Sequence, residues 1–179
     1  TASERVKVAQ ADVMEFLLVN HPLDCPICDQ AGECKLQQYS YLFGRPASSM
    51  EEAKVKLEKR KVLGPHVVLD QERCIACTRC VRFGQEIAGV MELGMVGRGE
   101  HAEILAFVGR TVDSEISGNV IDLCPVGALT SKPFRYTARG WELLQRKSVS
   151  PHDSLGSNLI VQVKHNRVMR VLPLENEEL

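Results

Sequence analysis

Seven cysteines, six of them packed into two short runs, constrain this chain more than any other feature. The first run is Cys25-x2-Cys28-x5-Cys34, the second is Cys74-x2-Cys77-x2-Cys80, and Cys124 stands apart just ahead of Pro125. An odd number cannot be satisfied by disulfides alone. The opening residues, Thr1 to Val8, are polar and charged rather than a basic segment followed by an apolar one, so no secretory signal is read. Metal ligation is therefore the stronger reading of the cysteines.

Composition narrows the classes further. With 22 Lys+Arg against 23 Asp+Glu, the formal charge of -1 argues against a nucleic-acid binder working through bulk electrostatics. Hydrophobic residues at 44% and charged residues at 25% are ordinary for a soluble globular chain. The longest apolar runs, such as Phe16-Leu17-Leu18-Val19, are far too short to span a bilayer. An aromatic share of 5% implies a modest hydrocarbon core for 179 residues, which allow one or two domains. Bound metal is a known substitute for such a core.

Periodicity predicts an amphipathic helix over residues 3–20, with Ser3 available as a cap, stopped at the His21-Pro22 step. A second helix is expected from about Glu33 to Phe43, ended by Gly44 and Pro46. Residues 46–64 read as a solvated, lysine-rich connection with helical propensity in Glu51 to Lys61. Val67-Val68-Leu69 reads as a strand entering the second cysteine run, and Cys77 to Ala88 as a helix ended by Gly89. Glycines at 89, 94, 97, 99 and 109 alternate with apolar runs, a pattern of strands and tight turns. Ser114 to Leu123 is expected to be a helix that delivers Cys124. From Trp141 the texture turns to β, with Leu159 to Lys164 and Val168 to Leu172 forming a hairpin about His165-Asn166-Arg167. No internal repeat of fixed period is visible. Gly94-x2-Gly97-x-Gly99 is not a dinucleotide fingerprint, because its spacing is wrong and no helix follows.

A Cys-x2-Cys pair lets two thiolates converge on one centre from a single turn. Three cysteines at consecutive two-residue gaps wrap an object larger than one ion, and a remote Cys before proline supplies a fourth corner. Cys74, Cys77, Cys80 and Cys124 therefore signal a [4Fe–4S] cluster, with zinc second. The other group, His21-x3-Cys25-x2-Cys28-x5-Cys34, also describes a structural zinc site on spacing alone. Asp24 and Asp29 lie within it, but hard carboxylates are poorer partners for a soft cluster. A lone histidine at a helix end reads first as a partner of the helix dipole; ahead of a Cys-x2-Cys that account of His21 weakens.

Residues 21–37, from His21-Pro22-Leu23-Asp24-Cys25 to Gln37, and residues 73–83, from Arg73-Cys74 to Phe83, resemble the large iron–sulfur subunit of respiratory complex I, the NADH-quinone oxidoreductase. The resemblance covers essentially the whole chain. It implies one [4Fe–4S] cluster on His21, Cys25, Cys28 and Cys34, and a second on Cys74, Cys77, Cys80 and Cys124. It implies an α+β fold of small cluster-binding domains, built from short helices and β-hairpins, followed by the start of a molybdopterin-oxidoreductase-like β region. The expected divisions are 1–45, 46–139 and 140–179. Ala31 departs from the glycine or serine usual in the family, at a position that is not a ligand.

Two departures matter more. The family begins with a plant-type [2Fe–2S] domain, and no cysteine precedes Cys25, so the chain is expected to be an internal piece without that cluster. Some members carry a further cluster near the β region on a Cys-x2-Cys-x3-Cys pattern. Here those positions hold Ser150, Asp153 and Ser157, so it is expected to be absent; His152 reads as an exposed loop histidine. Iron-only hydrogenases share the motif of one histidine and three cysteines but need further ferredoxin cysteines that this chain lacks. Diaphorase subunits of NAD-linked hydrogenases and formate dehydrogenases resemble residues 1–135 almost as well, and the Trp141 to Leu179 segment favours complex I.

The function implied is a relay carrying electrons from NADH toward quinone, with no catalytic residue and no NADH or flavin site in this chain. The implied partners are the flavin- and NADH-binding subunit and a ferredoxin-like two-cluster subunit. The implied location is peripheral, on the cytoplasmic face of a bacterial inner membrane or the matrix side in an organelle. Arg73, Arg79 and Arg82 crowd the second motif and are expected to offset its negative charge. The rival from another class is a zinc-stapled binding module.

Overall fold

The pairing that organises the molecule is antiparallel and short. In the computed structural model, which describes residues 3–107 and 111–175, β1 (Lys61–Val62), β2 (Val67–Leu69) and β5 (Leu129–Ser131) form a sheet in the order β1-β2-β5. Its register pairs Leu69 with Leu129 and Val67 with Ser131. The ladder extends one step further, through Asp70 N–H donating to the Ala128 carbonyl at 2.8 Å. Because the strands run in opposite directions, the chain leaving β2 and the chain entering β5 lie at the same end. Cys74 follows that end and Cys124 precedes it, so the residues between them close into one loop. Gly109, the last of the expected turn glycines, lies outside the described residues.

The helices follow the sequence reading closely where capping residues fix them. Helix α1 covers Glu4–Leu18, and Ser3 sits at the capping position without a side-chain bond. Helix α2 covers Lys35–Phe43, with Cys34 in the N-cap role, its Sγ accepting from Gln37 N–H, and Gly44 closing it. The two pack together, burying Met14 and Leu36.

Residues 46–60 run as an irregular connection, in line with the sequence reading; Lys54 Nζ donates to the Leu18 and Val19 carbonyls at 2.8 Å each, and Asn20 Oδ1 accepts from Val55 N–H. These tertiary bonds to the end of α1 override a weak helical propensity there. Two expectations are corrected. The helix expected from Cys77 starts at Arg79, because Ala76 and Thr78 are left-handed, with φ of 54° and 60°. It runs as α3 (Arg79–Arg82) and then widens into a π-helix over Phe83–Ala88, closed by Gly89 at φ 68°. The helix before Cys124 is only α4 (Asn119–Leu123), preceded by turns.

Strands β3 (Leu93–Val96) and β4 (Glu103–Ala106) make a two-stranded ribbon. The final sheet is a meander of β6 (Leu144–Val149), β7 (Asn158–Lys164) and β8 (Arg167–Pro173). The last hairpin turns on two residues, His165 and Asn166, both at positive φ, as a type I′ turn requires.

The main core gathers Leu63, Val67, Leu69, Ile104, Val126 and Leu129 with the helical Met14 and Leu36. Cys34, Cys74, Cys80 and Cys124 pack on its margin. A smaller core holds Phe134, Ala138 and Leu143 against Met169. The α+β class is thus realised with short helices and small sheets. Among the described residues no helix is long and apolar enough to cross a membrane.

Candidate functional site

All seven cysteines are free thiols. Cys74, Cys77, Cys80 and Cys124 line a single small cavity, walled on its apolar side by Leu69 and Ile104. The left-handed Ala76 and Thr78 bracket Cys77. Each such turn costs about 1–2 kcal/mol for a residue with a Cβ, and such strain gathers at functional sites. Burial pushes the thiols of Cys74, Cys80 and Cys124 up, Cys80 to about 12, and neighbouring cysteines of the same set push the same way. Backbone N–H groups oppose this: those of Leu129, Val126 and Ala128 lie against Cys124, and that of Ala76 donates to Cys74 Sγ at 3.4 Å. These amides stabilise a thiolate in place, as donors around metal-bound sulfur do.

The first set is built at the junction of α1 and α2. His21 follows the end of α1, its N–H donating to the Leu18 carbonyl at 3.1 Å. Cys25 opens a single 3-10 turn, Cys28 follows it, and Cys34 caps α2. His21 Nδ1 is buried and has no hydrogen-bond partner. Burial, and next the charge of Arg73, pull the His21 imidazole down to about 4, so it is neutral at pH 7, the form that ligates metal. Burial raises the Cys28 thiol, and Cys34 and Cys25 add to it.

The two sets are joined by four residues, Cys124-Pro125-Val126-Gly127. Cys124 lines the second cavity. The Pro125 carbonyl accepts from Cys34 Sγ at 3.8 Å. A Cβ built on Gly127 would overlap Cys28 Sγ and press on Gln30. One short stretch of backbone therefore touches both sites.

Charged groups pack behind the first set. Lys59 Nζ reaches Asp24 at 2.6 Å and Glu72 at 2.7 Å. Arg73, 1% exposed, donates through Nε and Nη2 to Asp24 and faces Asp70 at 3.3 Å. This corrects the expectation for Arg73, whose side chain pairs beside the first set although its backbone abuts the second. Arg79 is exposed, and Arg82 pairs with Glu86 on the surface at 3.0 Å. Neither aspartate of the first motif is spare: Asp24 holds the ion pairs, and Asp29 accepts from Tyr136 N–H at 3.0 Å.

Ser150, Asp153 and Ser157 gather in the loop between β6 and β7. Asp153 Oδ1 accepts from Leu155 and Ser157 N–H, and Ser150 N–H donates to the Ser157 carbonyl at 2.8 Å. His152 is exposed, as expected.

The donor sets suit iron–sulfur clusters. The second presents four thiols around one cavity, and the first leaves a buried imidazole nitrogen without any other partner. Among the described residues no group of three or more His, Cys, Asp or Glu side chains is placed to hold a single metal ion. The eight candidate donors are those that the spacing and the resemblance together pointed to. Neither could identify Pro125, Gly127 or Lys59, whose roles depend on contacts between distant segments.

Three family models match successive parts of the chain. They are the NADH-ubiquinone oxidoreductase-G iron-sulfur binding region at residues 10–48, the ferredoxin-like domain of NADH-quinone oxidoreductase subunit 3 at 64–130, and the 4Fe-4S domain of the NADH-ubiquinone oxidoreductase NDSU1/NuoG-like family at 143–179. The G-type subunit of NADH-quinone oxidoreductase from Rickettsia bellii is 51% identical over 179 residues, all of this chain and 26% of the relative. The NADH-ubiquinone oxidoreductase 75 kDa subunit of Reclinomonas americana is 52% identical over 178 residues, 99% of this chain and 26% of that protein. A crystal structure of an NAD+-reducing [NiFe]-hydrogenase in the H2-reduced state superposes with a TM-score of 0.65 at 31% identity, over 76% of this chain and 59% of that one. The chain spans about a quarter of the length of the curated relatives it matches. Along its full length the chain is thus similar to a segment of the NADH-quinone oxidoreductase G-type subunit, with three iron–sulfur models of that kind matching it in succession.

Proposed function

We propose that this chain is an electron relay of NADH:quinone oxidoreductase, holding one [4Fe–4S] cluster on His21, Cys25, Cys28 and Cys34 and another on Cys74, Cys77, Cys80 and Cys124. The observation that carries the reading is the reach of Cys124–Gly127 from the cavity lined by the second set to Cys34 and Cys28 of the first. When bound, a cubane takes up or gives up one electron with the charge spread over several irons. The protein's own residues do the rest. Leu69 and Ile104 wall one side of the second cavity with hydrocarbon, and the amides near Cys124 steady its sulfur. His21, neutral and buried, offers a ligand without negative charge.

Within this reading residues 1–45 and 46–139 each hold one site, and 140–179 open a molybdopterin-oxidoreductase-like region with no cluster at Ser150, Asp153 and Ser157. No [2Fe–2S] centre is assigned to these residues. The chain stands between a flavin- and NADH-binding partner, nearer the Cys74 set, and a ferredoxin-like partner, nearer the His21 set. Its place is the peripheral arm on the cytoplasmic or matrix side of the membrane. A second reading, the diaphorase iron–sulfur subunit of an NAD-linked hydrogenase, draws on the likeness to the hydrogenase structure. Both readings use the same ligands.

His21→Ala in anaerobically prepared protein tests the ligand sets. The reading expects one of two paramagnetic signals in the reduced protein to change or vanish while the other stays. Two unchanged signals contradict it.

A further inference from the structure

Arg73 precedes Cys74 in the chain but gives its side chain to the other site. It is 1% exposed, and its Nε and Nη2 donate to Asp24 Oδ2 at 3.2 and 3.0 Å. Asp24 lies between His21 and Cys25, so these bonds clamp the ligand loop to the 3-10 turn Gln71–Arg73. Asp70 holds the same guanidinium from behind at 3.3 Å. Nη1 is buried with no hydrogen-bond partner. A buried, unpartnered guanidinium N–H is costly unless negative charge lies near it. Arg73 lies within electrostatic reach of both Cys28 and His21. The other groups in this nest are Lys59, Asp24, Asp70, Glu72 and Arg135, which carry both signs and largely offset one another.

We propose that Arg73 is a positioning residue of the His21, Cys25, Cys28 and Cys34 site, clamping the ligand loop through Asp24 and lending a fixed positive charge that favours the reduced state there over the Cys74 site. The proposal rests on the assignment of a cluster to the first set. A guanidinium keeps its charge at every working pH, so the bias is permanent rather than switched. Adding one electron makes the site more negative, and a cation held in a buried place stabilises that state more than a solvated one could.

The test is an EPR-monitored redox titration with dithionite and mediators, alongside iron analysis, on anaerobic parent, Arg73→Gln and Arg73→Lys proteins. In Arg73→Gln the reduction equilibrium of the His21-type cluster should fall about tenfold, which is about 59 mV for one electron. The Cys74-type cluster should move less, and Arg73→Lys should recover much of the loss. If Arg73→Gln cannot hold the first cluster, iron falling from about eight to about four per chain with the second signal intact supports the clamp. An unmoved first cluster, an equal or larger shift at the second, loss of iron from both, or a lysine variant no nearer the parent than glutamine overturns the proposal. If the parent itself shows only a four-cysteine cluster, the ligand assignment fails, and the Arg73 role with it.

Discussion

A methyl group at position 127 has nowhere to go. The glycine is buried, and a Cβ there meets Cys28 Sγ and the Gln30 side chain. Gly127→Ala should therefore destabilise the protein by about 1–3 kcal/mol, the usual range for overpacking, and lower the occupancy of the first site. Denaturant unfolding and iron analysis of the variant check this; unchanged values of both contradict it. The position also marks how far single residues could be read from the chain. The eight proposed donors could be nominated from the chain because a cluster takes its ligands at short, fixed local spacings. Arg73 was placed with the wrong set, since sequence adjacency fixes where its backbone goes and not where a long, flexible side chain ends. Gly127 carried no ligand signature at all; its role arises only when residues far apart in the chain are brought into contact.

At the scale of elements, what was legible depended on local punctuation. The His21-Pro22 step, Gly44 and Gly89 end their helices as anticipated, because proline and glycine act within one or two residues. The weak helical propensity over Glu51 to Lys61 is not realised in the connection, where Lys54 and Lys59 find fixed partners. The same connection is tied to α1 by Glu15, which accepts from Ser49 N–H at 2.7 Å and Ser49 Oγ at 2.5 Å and pairs with Arg45. Those bonds, Ser49's first, hold the Glu15 carboxyl at about 2 instead of 4.5. A lowered carboxylate contributes stability that is complete above its unfolded value and disappears as pH falls through its folded value. The stability difference between parent and Glu15→Gln should thus be largest above pH 4.5 and shrink steadily toward pH 2. Urea unfolding of both proteins across that window tests it. A difference independent of pH contradicts the assignment.

At the scale of the whole molecule, both donor sets sit on the margin of one hydrocarbon core. Cys34, Cys74, Cys80 and Cys124 pack against the cluster containing Leu69, Val126 and Leu129. The antiparallel pairing of β2 with β5 makes this possible, delivering Cys74 and Cys124 to the same end and leaving Cys124–Gly127 to reach the first set. With a 5% aromatic share, bound clusters would supply part of the cohesion that a larger core supplies elsewhere. Under the proposed assignment His21 brings the seven cysteines to two sets of four donors. The measurement that tests this most directly is an iron, acid-labile sulfide and zinc count on protein purified without oxygen. Two cubanes require a brown protein with about eight irons and about eight sulfides per chain and no stoichiometric zinc. A colourless protein carrying zinc in proportion to the chain contradicts the account.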